Sequence, residues 1–156
     1  MNKTEILQEI IARLTAGAEL YQRAARAAQF EATDEQSKAE NKYDTRGLEA
    51  SYLARGQSRQ AAETEQALQD FRALAGRTFA PDSAIELGAL VELKGRRDRM
   101  LLYVGPSMGG TEVLVDGEEI TVITPHSPLG QQLVGTKTGA KIKLPSGEER
   151  RVGSVQ

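Results

Sequence analysis

The sequence has 156 residues, a formal net charge of −2, 4% aromatic residues, no Trp and no Cys. Without cysteine there can be no disulfide, thiolate nucleophile or Cys-based zinc site, and the near-neutral balance does not support autonomous nucleic-acid binding, which shows a basic patch or stripe. The opening stretch MNKTEILQEIIARL lacks the apolar core of a signal peptide, and no run of about 18 apolar residues exists to span a membrane, so a cytoplasmic protein is expected.

From Asn2 to about Phe30 the apolar and small residues recur at heptad spacing. Leu7, Leu14, Tyr21 and Ala28 form one series; Ile10, Gly17 and Ala24 form the other. A three-and-four repeat gives a narrow helical stripe, the seam of a coiled coil. Thr4 is the expected cap near its start. A second arm, from roughly Glu40 to Leu74, carries Ala54, Ala61, Leu68 and Ala75 in one series and Ala50, Gln57, Thr64 and Phe71 in the other. Its small residues bury little area at about 25 cal/mol per Å². The pair is expected to be firm near Leu7, Ile10, Leu68 and Phe71 and looser toward its tip.

Between the arms lies EATDEQSKAENKYDTR, Glu31 to Arg46, with carboxylates at Glu31, Asp34, Glu35, Glu40 and Asp44. Two or three of these suffice for a Mg²⁺ that keeps most of its waters, because that ion is commonly held by one or two carboxylates plus phosphate oxygens. A solvated hairpin tip accounts for the same residues, since a charge run specifies little.

Ala75 to Ser83, with Gly76 and Pro81, reads as a boundary. Thereafter the period becomes strand-like: Ala89–Leu93 and Met100–Val104 flank the basic turn Lys94 to Arg99, Thr111–Val115 pairs with Ile120–Ile123 across Asp116-Gly117, and Lys141–Leu144 pairs with Arg150–Val155. Ser127-Pro128-Leu129-Gly130 supplies an N-cap and a first-turn proline for one short helix that Gly135 stops. The expected organisation is α+β: an antiparallel α-helical coiled-coil hairpin over residues 1–75, a linker over 76–83, and a small antiparallel β domain over 84–156. His126 is the single histidine, which excludes a His-based metal cluster or a Ser/His/Asp triad. The glycine-rich stretch Gly105 to Gly110 precedes a strand and lacks the Lys-Ser/Thr ending of a phosphate loop. Lys94, Arg96, Arg97 and Arg99 form either a patch for an anionic partner or an ordinary solvated turn.

Taken together, the hairpin with its acidic tip and the segment Ile123 to Gly139, ITPHSPLGQQLVGTKTG, resemble the bacterial Gre-type transcript cleavage factors, across essentially the whole chain. The resemblance implies an FKBP-like C-terminal domain that docks on RNA polymerase through Ser127, Pro128, Leu129 and Gly130. It implies a hairpin reaching down the secondary channel, where tip acids assist the polymerase's own active site in hydrolysing backtracked RNA. The factor would then be accessory rather than a free-standing enzyme, with no cofactor of its own. Its only metal would be a Mg²⁺ shared with the polymerase through Glu40 and Asp34, and it would meet the nascent RNA 3′ end only inside that complex. Glu40-Asn41 with Tyr43 is similar to the family's Glu-Asn-and-Tyr tip; Asp34, Glu35 and Asp44 are the further candidate acids. The chain departs from the pattern at Ser37, where the family has Asp, and Tyr43 falls one residue early. A monomer is expected. A non-cleaving regulator or competitor in the same channel is the nearest alternative. A coiled-coil dimerisation module and a prolyl isomerase are rivals of other classes, the last disfavoured because Tyr103 is the one aromatic residue after Ser83.

Overall fold

The computed structural model describes residues 1–34 and 45–156. Two helices come first, α1 (Lys3–Thr33) and α2 (Arg46–Arg72). The cap of α1 is Asn2 rather than Thr4: the Asn2 Oδ1 accepts from the Thr4 N–H at 3.0 Å, satisfying one of the orphan donors of the first turn. The chain divides into two compact units, one of Arg13–Leu68 and one that combines Met1–Ala12 with Gln69–Gln156.

The first unit is a helical hairpin. Gln29, Ala32 and Thr33 of α1 line a cleft of about 450 Å³ together with Ser51, Ala54, Arg55 and Ser58 of α2, which places the end of one arm beside the beginning of the other. Small side chains leave that gap. On α1 the buried stripe runs Leu14, Ala18, Ala25 and Ala28, while Gly17, Tyr21 and Ala24 are half-buried. The expected seam therefore shifts by one residue from Gly17 to Ala18, because a run of 3-4-4 spacing inserts an extra four residues and rotates the stripe. On α2 the expected positions Ala50, Ala61, Thr64, Leu68 and Phe71 are buried, whereas Ala75 is exposed beyond the helix end. The Thr64 hydroxyl is accommodated by donating to the Gln60 carbonyl at 2.8 Å.

The second unit is built on six strands: β1 (Leu90–Lys94), β2 (Arg99–Val104), β3 (Glu112–Val115), β4 (Glu118–Ile123), β5 (Lys141–Lys143) and β6 (Glu149–Val155), with α3 (Pro128–Leu133) between β4 and β5. Their order across the sheet is β3-β4-β2-β1-β6-β5. Three sequence-local hairpins are present as expected, and Asp116 (φ 54°) with Gly117 (φ 77°) forms the β3–β4 turn in the left-handed conformation that such two-residue connections require. The sheet is nevertheless mixed. β2 and β4 run parallel, from Leu101 opposite Ile120 to Val104 opposite Ile123. The connection after β2 carries the chain past its neighbour, so the more buried β4 takes the inner place and β3, with Leu114 exposed, becomes the edge.

Both sheet faces are covered. On one, Val91, Leu93, Leu102, Val104, Ile142 and Val152 form a core with Ile85 and with Leu133 of α3. On the other, Phe71 stacks on Tyr103 with ring centroids 6.3 Å apart, and Ile6 and Ile10 are fully buried. Gly105 is required here: a Cβ would lie 2.7 Å from Phe71 Cζ and 2.8 Å from Val122 Cγ1. The ends of α1 and α2 thus belong to the sheet unit because its second face needs their side chains.

Candidate docking groove and acidic tip

The segment from Ile123 to Gly139 is held by its own polar atoms. Ser127 sits in extended backbone before α3; its Oγ accepts from the Gly130 N–H at 3.0 Å and donates to the Thr124 carbonyl at 2.8 Å. Pro128 follows at the start of the helix, where its missing N–H costs nothing. At the other end Gly135 adopts φ 87° and donates to the Ile85 carbonyl at 2.8 Å. Gly130 packs so closely that a Cβ would stand 1.8 Å from the Thr124 carbonyl oxygen.

These constraints put the four sequence-predicted docking residues in different situations. Pro128 is exposed, Ser127 and Leu129 are half-buried, and Gly130 is buried. Ser127 and Gly130 serve the local fold, while Pro128 and Leu129 border an apolar groove of about 440 Å³ whose other walls include Met100, Ile123, Leu144 and Pro145. Sequence reasoning missed those opposite walls. The available signal was Leu144-Pro145, an apolar pair at the end of β5 that a solvated turn would not need.

At the hairpin's far end, the Asp34 N–H donates to the Phe30 carbonyl at 2.9 Å, continuing the turn beyond α1, and Asp34 is half-buried. Glu35, Glu40 and Asp44 lie outside the described residues, as do Ser37 and Tyr43. Among the described residues no three His, Cys, Asp or Glu side chains gather to hold a metal ion. Where α2 begins, the Thr45 hydroxyl donates to Glu49 Oε1 at 2.9 Å. Phe30, Leu48, Tyr52 and Leu53 are exposed on this unit, a feature the heptad reading did not anticipate.

Within the basic turn, Lys94 and Arg99 are paired with carboxylates of the sheet. Arg99 pairs with Glu118 at 2.6 Å and with Glu92 at 3.2 Å, and Lys94 reaches Glu92 at 3.4 Å. Its hydrogen bonds to Glu118 and then Glu92 raise the Arg99 pKa. Arg150, only 7% exposed, pairs with Asp98 at 2.8 Å and Glu148 at 3.3 Å. Arg96 and Arg97 stay exposed. His126 is an exposed loop residue. No described helix is long and apolar enough to cross a membrane.

Searches against protein-family models and curated proteins find no match. Among solved structures, the chain is similar to the crystal structure of GreA factor homolog 1 (Gfh1) of Thermus thermophilus, at 23% identity over 94% of each chain with a TM-score of 0.38. It is similar to Thermus aquaticus Gfh1 at 23% identity over 93% of this chain and 92% of that one, TM-score 0.39. A further structure of the transcription factor Gfh1 gives 25% identity over 94% and 92%, TM-score 0.39.

Proposed function

We propose that this protein is an accessory factor of RNA polymerase that docks through its sheet unit and works through its helical hairpin in the secondary channel. The observation that carries the reading is the Ser127-capped turn with Pro128 exposed and Leu129 beside an apolar groove, built from the stretch whose sequence resembles the Gre-type docking segment. An exposed proline on a rigid, capped turn next to an apolar recess is a preorganised contact, which binds without a large ordering cost.

In this reading the hairpin brings its acids to the polymerase's catalytic centre. Glu40 is the leading candidate, with Asp34, Glu35 and Asp44 as further ones. One or two carboxylates from this chain, Glu40 with Asp34, would complete the shell of a shared Mg²⁺, made mostly of water and phosphate oxygens. Such an ion supplies charge neutralisation and a more acidic water. The chain's own contribution is to position carboxylates in a confined space.

Ser37 favours a second reading, a channel occupant that competes with cleavage factors and stimulates no cleavage. Purified chain incubated with core polymerase and stalled, backtracked complexes separates the two. The first reading expects binding, cleavage stimulated by the wild type, and Glu40→Gln that binds without stimulating. Binding with no stimulation across a Mg²⁺ titration establishes the competitor. Pro128→Ala with Leu129→Ser is expected to weaken binding at least about tenfold while thermal unfolding stays cooperative; unchanged affinity in a folded variant removes the docking assignment.

A further inference from the structure

Within the sheet unit, on the face away from α3, a separate cavity of about 330 Å³ opens between the start of α1, residues 74–78 and β2. That volume is at the lower end of the range of small-molecule sites. Leu7, Ile11 and Leu74 form apolar walls. Lys3 and Arg77 supply positive charge, and no Asp or Glu is among the lining residues. Arg77 is paired with Glu86 at 3.1 Å. Among the described residues Lys3 has no carboxylate partner; its ammonium donates to the Arg77 carbonyl and lies 4.6 Å from the Phe79 ring centroid. Of its three N–H donors, one is used there.

Tyr103 is the second, independent observation. It is 1% exposed and lines the cavity, with the Arg77 charge close enough to act on its hydroxyl. Burial pushes its pKa up to about 12, so the group is a neutral O–H donor at any ordinary pH. Burial and the neighbouring Arg77 lower the Lys3 pKa, as expected for a cation that nothing offsets. The start of α1 adds the positive end of a 31-residue helix to the same wall.

We propose that this cavity is a binding site for a small organic anion, a carboxylate on a short hydrocarbon body. The carboxylate would accept from the Tyr103 hydroxyl and the Lys3 ammonium, and the hydrocarbon would lie along Leu7, Ile11 and Leu74. Two donors and no competing acid select the negative head; the apolar wall selects the body. This site is remote in the fold from the Pro128 groove and does not depend on the polymerase reading.

Hexanoate is a suitable probe, with hexanol as the uncharged control, titrated into the full-length protein and followed by amide resonances of Thr4, Gly76 and Thr78. The expected result is saturable shifts with hexanoate and affinity for hexanol weaker by about tenfold, the worth of a hydrogen bond to a charged group. Tyr103→Phe keeps the ring and its stacking on Phe71, and is expected to weaken hexanoate about tenfold while leaving hexanol unchanged. Lys3→Gln gives a second arm that touches no buried core residue and is expected to act in the same direction. Absence of saturable shifts with hexanoate, equal binding of hexanol, or full hexanoate affinity in a folded Tyr103→Phe would each overturn the proposal.

Discussion

The two units of this chain bury different things. In the sheet unit the fully buried side chains are large, among them Tyr103, Phe71, Leu93, Leu102, Ile120 and Leu133. In the hairpin unit the stripe is mostly alanine, with Leu14, Leu68 and Thr64 as the larger members, and Phe30, Leu48 and Tyr52 face outward. Burial stabilises roughly in proportion to apolar area, so the same number of buried positions contributes far less in the hairpin. A helix pair held mainly by alanines can bring its backbones close, but it opens at low cost. The comparison teaches that rigidity is concentrated where the chain carries its groove and cavity.

Leu133→Ala is the largest test of that contrast. Leu133 is 0% exposed within the core beneath α3, and the truncation is expected to cost about 2–5 kcal/mol in urea unfolding. A loss below about 1 kcal/mol would mean that the sheet core relaxes as readily as the hairpin and would erase the distinction.

Alkaline unfolding gives the next effect. Tyr103 has a folded-state pKa of about 12 against its ordinary 10.0. The folded state therefore retains the phenol proton that the unfolded state releases. The stabilisation is complete below about pH 10 and is lost as pH rises through 12. Lys3, lowered from 10.5, gives a slope of opposite sign just below that value. Tyr103→Phe is expected to flatten the decline between pH 10 and 12 in guanidinium titrations; an unchanged decline would show that other groups carry it.

The smallest effect lies in the hairpin. A Cβ on Gly56 would meet nothing within 4 Å, so Gly56→Ala is expected to stabilise α2 by about 0.5–1 kcal/mol. Slower amide exchange confined to Arg13–Leu68 would sharpen the contrast, and no change would show that helix propensity does not limit that unit.

Elements closed by local chemistry were legible in the sequence. Asp116-Gly117 announced its hairpin, and Ser127-Pro128 with Gly135 bounded α3 almost to the residue. The partner of β2 was not legible, because alternation tells which face of a strand is buried and says nothing about which strand lies beside it or in which direction. The seam shift to Ala18 escaped for a related reason: where neighbouring positions are Gly17 and Ala18, size gives no contrast to mark the stripe. For the site, Ser127 to Gly130 could be read as a capped turn, but Met100 and Leu144, 44 positions apart in the chain, line the same groove, and only the sheet order brings them together. Tyr103 looked like a lone aromatic; that it lines a cavity is a property of what surrounds it.

The register of β1 with β6 has a bearing on how the chain comes into being. Val91 lies opposite Val155, and Leu90 exchanges hydrogen bonds with Gln156 in both directions, so the middle of the sheet waits for residues some sixty positions later. Residues 13–68 form an uninterrupted stretch that is complete well before then, whereas the sheet unit draws on both the beginning and the end of the chain. During synthesis the helices can form first, while the β1 edge of Val91 and Leu93 stays open until β6 closes it. Such an edge is the kind of surface that pairs with the wrong strand. The bulge between Glu92 and Leu93 twists that edge once β6 arrives, but before then a ribosome-held chain has only the charged turn from Lys94 to Arg99 to keep neighbours away.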